Sequence, residues 1–144
     1  MPRITRWFIK SGIIYLFLGI LLAFLSELPF IQSGSLLLPV YWHMIVIGWV
    51  TQVIMGVSIW MFPRKRRDRK KTETFFSVAS FFSLNAGLLI RFLCEPFLPF
   101  FAENPLAIFV ISLSIILQLI GVLFYVAEIW PRVQSKKKRK KRSN

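Results

Sequence analysis

His43 is the only histidine of the chain, and Arg91 is the one basic residue set within a long apolar stretch. A neutral imidazole is a good haem or metal ligand. A guanidinium in an apolar segment needs an anionic partner or must snorkel to the interface. Arg91 has such a partner in Glu95, four residues on and therefore its neighbour on a helix surface. Three amides, Gln52, Asn85 and Gln118, form a second set in equally apolar surroundings. No cluster of Cys, His and carboxylate has the spacing of a zinc or di-metal centre. Nor is there a Ser-His-Asp arrangement, a phosphate loop or a paired carboxylate set, so the residues carry no enzyme signature of their own. Cys94 is the lone cysteine and cannot form an internal disulfide.

These residues must be positioned by helices in a membrane. Hydrophobic residues make up 56% of the 144, and the mean hydropathy is +0.61, outside the range of ordinary soluble domains. A span needs about 20 apolar residues. Residues 1–131 hold four such stretches, at about 7–28, 40–62, 74–95 and 105–130, which leaves only a basic tail at 132–144. Lys and Arg fall at Arg3, Arg6 and Lys10, in the loop Arg64 to Lys71, and in the tail from Arg132. Short loops that stay in the cytoplasm keep Lys and Arg, whereas short translocated loops lack them. The expected fold is therefore all-α, a four-helix transmembrane bundle running up-down-up-down with both termini cytoplasmic. The expected location is multi-pass in a bacterial inner membrane. The first span lacks a small-residue cleavage site at Glu27-Leu28-Pro29 and reads as a retained helix.

Proline and tryptophan punctuate the spans. Pro39 suits a helix start, Pro63 and Pro96 suit helix stops, and Trp130-Pro131 suits an interfacial end. Glycines at 12, 19, 48, 56, 87 and 121 mark places for close helix approach. Phe97, Phe100 and Phe101 suit a loop lying in the headgroup region. The net charge of +13 flanks the spans, so its expected partner is anionic lipid rather than nucleic acid. The run Lys136 to Arg142 is a block of like charge, expected to be disordered.

A rise of about 1.5 Å per residue puts the three amides near the midplane, within about one turn of each other. They read either as interhelical hydrogen bonds that fix register or as a polar lining for a ligand or proton path. The same arithmetic sets His43 and Arg91 at one shared level, each about one turn inside the outer end of its span. Glu27 and Glu128 are expected at the interfaces.

The stretch His43-Met44-Ile45-Val46-Ile47-Gly48-Trp49-Val50, continuing through Met55-Gly56 to Phe62-Pro63-Arg64, resembles a span of the haem-copper oxidase subunit I superfamily. The likeness is to its short, divergent members and to the NnrS-type membrane haem proteins. Their pattern is an outer histidine, Gly-Trp five residues on, a further Gly and a closing Pro-Arg. Phe8 to Tyr15 and Leu84 to Arg91 look similar too, so the resemblance covers the four spans but not the tail. It implies that His43 ligates a b-type haem, with Arg91 facing a propionate and Met44, Gly48 and Trp49 lining the pocket. Full oxidase subunits have more spans and further histidines for copper and a second haem. This chain lacks them, so oxygen or nitric oxide reduction by the chain alone is not implied. A second axial ligand would come from a second copy or a partner subunit. The other expectation, independent of any family, is a cofactor-free accessory or structural subunit of a larger membrane complex. A transporter fits less well, because broken helices and intramembrane carboxylates are missing.

Overall fold

The structure is a computed structural model that describes residues 1–28, 34–62, 73–100 and 103–133. The expectations for the loop Arg64 to Lys71, for Phe101 and for the run Lys136 to Arg142 lie outside the described residues. Every regular element among those described is helical: α1 (Arg3–Ser26), α2 (Gly34–His43), a π-helical segment (Met44–Thr51), α3 (Gln52–Met61), α4 (Phe75–Cys94), a 3₁₀ turn (Glu95–Phe100) and α5 (Pro105–Val133). α2, the π segment and α3 follow one another without a break and make up one span. Four stretches are long and apolar enough to cross a membrane: Arg3–Ser26, Leu37–Met61, Phe75–Leu98 and Pro105–Val133. Only 17% to 33% of the residues in these windows are buried inside the chain. Phe17, Phe24 and Leu106 are more than 60% exposed, a surface suited to hydrocarbon and unsuited to water.

Three boundaries differ from the sequence expectation. α1 starts at Arg3 rather than Trp7, because a helix satisfies its own backbone while long basic side chains reach out of the hydrocarbon. Pro39 sits inside α2 rather than at its start, where it leaves one ladder bond unmade. α5 runs through Pro131 to Val133. There Arg132 ion-pairs with Glu128 and donates to the carbonyls of Ile59 and Phe62 at 3.1 and 3.3 Å, which ties down the last turn. Glu128 is buried among the helices and paired with Arg132. α4 begins where Thr74 caps it, its hydroxyl accepting from the Ser77 amide in a reciprocal capping box.

The helices pack as two tight antiparallel pairs. α1 lies on the second span with backbones close together. A Cβ added at Gly48 would come within 2.7 Å of the Tyr15 side chain, and one at Gly56 within 2.9 Å of Phe8. α4 lies on α5 in the same way, with Gly87 against the Ser114 carbonyl and Gly121 against the Leu84 amide. Hydroxyls stitch this second pair. Ser80, Ser83 and Ser114 each donate across it to a carbonyl at 2.8 Å. Small residues let helices approach where hydrocarbon solvent gives no drive to bury apolar surface.

The contacts between the two pairs are of another kind. Phe81 of α4 meets Trp7 and Phe8 of α1, with ring centroids 5.8 and 5.2 Å apart. Ser58 shares a 2.8 Å hydrogen bond with Tyr125. Arg132 of α5 reaches the Ile59 and Phe62 carbonyls across the same seam, and His43 with Arg91 and Gln52 with Asn85 tie it further.

Candidate functional site

His43 closes α2, and its ring turns toward α4. Its Nδ1 lies 2.7 Å from the Pro39 carbonyl oxygen. A carbonyl only accepts, so this contact puts the ring proton on Nδ1 and leaves the lone pair on Nε2. Arg91 Nη1 donates to that Nε2 at 2.7 Å. The same Nη1 lies 3.3 Å from Nδ1, but a protonated Nδ1 cannot accept, so the Nε2 contact is the real bond. Nη1 also donates to Glu95 Oε1 at 3.1 Å, across one helical turn. Glu95 Oε2 stands 3.8 Å from His43 Nδ1, beyond hydrogen-bonding reach.

Arg91 is 9% exposed, and the His43 side chain, at 28%, is the open edge of the cluster. Among the described residues, Arg91 Nε and Glu95 Oε2 are buried without a hydrogen-bond partner. An orphan donor and an orphan acceptor side by side keep recognition capacity in hand, since buried polar groups are normally satisfied. A guanidinium with unspent N–H groups suits a carboxylate or phosphate. An imidazole whose far N–H is pinned to a carbonyl suits a metal. Among the described residues no three His, Cys, Asp or Glu side chains converge.

One level deeper, Gln52 is fully buried and bridges three helices. Its Oε1 accepts from the Ser11 hydroxyl at 2.7 Å and from Asn85 Nδ2 at 3.3 Å, while its Nε2 donates to Asn85 Oδ1 at 3.2 Å. Gln118 does not join them. Its amide donates to Ser114 within α5, and its side chain packs on the Gly87 position. The expected layer of three amides is therefore two amides and a serine. Gln52→Leu should cost about 1 kcal/mol, two interhelical contacts at roughly 0.6 kcal/mol each. Gln118→Leu, which breaks only a bond within its own helix, should cost less. Denaturant unfolding in mild detergent, followed by tryptophan fluorescence, checks the order, and equal losses would contradict it.

Two of the other pocket candidates, Met44 and Gly48, turn away from this cluster. Gly48 faces Tyr15, and Met44 is fully buried with its Cβ beside Gly19. The Trp49 backbone carbonyl lies near Gly12 on the α1 side, and its side chain is half-buried. His43, Arg91 and Glu95 converge, while Met44 and Gly48 belong to the packing of the first pair. The donor set fits one axial ligand and one propionate partner. It does not offer a slot along the Gly48 face, which Tyr15 fills. Sequence reasoning missed Ser11, Tyr125 and Arg132 as cross-span partners. It also missed the π segment, although Met44, Gly48, Gln52 and Gly56 recur every four residues where α winding asks for 3.6.

No family model, curated protein or solved structure matches the chain.

Proposed function

We propose that the chain is a four-span protein of a bacterial inner membrane that holds b-type haem through His43. In this reading it runs up-down-up-down with both ends cytoplasmic, and its basic segments lie against anionic lipid. The observation that carries the haem assignment is the Nδ1–H bond to the Pro39 carbonyl, which points a lone pair from Nε2 at the seam. That carbonyl fixes the tautomer and raises the basicity of the ligating nitrogen. With haem on His43, Arg91 would give up its bond to Nε2 and turn its N–H groups to a propionate, with Glu95 balancing its charge. Haem b supplies one-electron exchange. The open edge of His43, and the closed Gly48 face behind it, support a site where the second axial ligand comes from another copy or a partner subunit. The role is respiratory electron transfer, or haem or nitric oxide handling.

A reduced-minus-oxidised absorbance spectrum of protein purified after growth with ample haem tests this. Low-spin haem bands are expected, and His43→Ala should abolish them. A colourless preparation, or bands that survive His43→Ala, would remove the assignment.

The 2.7 Å bond from Arg91 to Nε2 favours a second reading. Here His43, Arg91 and Glu95 tie the two helix pairs together, and the chain is a cofactor-free accessory subunit of a larger membrane complex. A stable larger assembly recovered in mild detergent from a colourless preparation supports this reading, and a lone monomer counts against it.

A further inference from the structure

Gln52 lies nine positions after His43, which is two and a half turns of an α-helix at 3.6 residues per turn. In an unbroken α-helix the two side chains would point in opposite directions. Yet His43 bonds Arg91 and Gln52 bonds Asn85, and both of those partners are on α4. The chain between them, Met44–Thr51, is π-helical. Its i→i+5 bonds put more residues into each turn, so nine residues come to about two whole turns. Both side chains then face α4. At eight residues the segment exceeds the single-turn bulge in which π winding usually occurs. Thr51 reinforces it, its hydroxyl donating at 2.9 Å to the Val46 carbonyl five residues back.

We propose that the π segment is the positioning element of His43, setting the imidazole over the Gln52–Asn85 pair and against Arg91. The proposal concerns where His43 points, and its bearing on a ligand rests on the haem reading. It predicts an asymmetry between shortening and lengthening the span. Removing two residues lets the segment wind as α-helix with His43 and Gln52 seven positions apart, about two turns, still on one face. Adding one leaves them ten positions apart, about two and four-fifths turns of α-helix, and swings His43 off α4 by about a fifth of a turn.

The experiment uses the full chain with Cys94→Ser and a short bifunctional thiol reagent in native membranes. One reporter pair is His43→Cys with Arg91→Cys, and the other is Gln52→Cys with Asn85→Cys. In the span of natural length both pairs should cross-link. Deletion of Val50, whose side chain is exposed, together with Thr51, whose hydroxyl bonds back into the segment, should keep at least half of the 43–91 cross-link. Insertion of Ala after Val50 should cut it at least fivefold, with the 52–85 cross-link kept in both. Equal loss on deletion and insertion, or cross-linking of only one pair at natural length, would overturn the proposal. With His43 and Arg91 intact, the deletion should keep the low-spin bands and the insertion should lose them. The cross-linking asymmetry in protein that is always colourless would uphold the positioning role and remove the haem reading alone.

Discussion

Arg91→Ala should destabilise the bundle by about 3–5 kcal/mol, the cost of stripping one partner from a buried ion pair. The Arg91 and Glu95 side chains are only 10% and 11% exposed, and Arg91 Nη1 is the donor to both Glu95 and His43. Without the guanidinium, the Glu95 carboxylate is left in a nearly closed site with no cation beside it. His43 Nε2 loses its donor and the seam loses a tie between the helix pairs. Arg91→Lys should recover only part of the loss. An ammonium on a flexible stem loses more side-chain freedom when held between two partners than a pre-organised guanidinium does. The double variant Arg91→Leu with Glu95→Leu should recover most of it, because replacing a buried pair by apolar side chains is often close to neutral. Denaturant unfolding in mild detergent, followed by tryptophan fluorescence, reads all three. A single variant as stable as the parent would show that the charge cluster does not hold the seam, and a double variant worse than the single would show that burial of charge is not the cause.

Depth along each span was legible in the sequence, whereas direction around each helix was not. Arg91 and His43 meet as their shared level predicted, and Arg91 pairs with Glu95 as the spacing of four predicted. The six glycines at 12, 19, 48, 56, 87 and 121 are all points of close approach. Gln118 shares a level with Gln52 yet points elsewhere. Met44 and Gly48 follow His43 along the same span yet serve α1. The physical reason is that lipid-facing and helix-facing side chains are alike apolar in a membrane, so hydropathy marks a span without marking its inner side. In a soluble helix the polar stripe supplies that information. Depth arithmetic also assumed α winding throughout, and the π segment broke that assumption at the residue that matters most.

Gly87→Leu should be the most damaging change to the packing of α4 on α5, at about 3 kcal/mol, the upper end of the usual cost of overpacking. A Cβ at Gly87 would lie 2.8 Å from the Ser114 carbonyl oxygen and 3.2 Å from the Gln118 amide, both backbone atoms that cannot turn aside. α4 and α5 would have to separate. The 2.8 Å bonds that Ser80, Ser83 and Ser114 send across the pair would stretch together. Gly12→Ala makes the contrast. There the first atom met is a Val53 methyl at 3.0 Å, which a small side-chain shift relieves, so its cost should stay below about 1 kcal/mol. The same unfolding assay separates the two. If Gly87→Leu proves no worse than Gly12→Ala, the closeness of α4 to α5 is not what fixes the second pair. The polar seam against the first pair would then have to carry the fold.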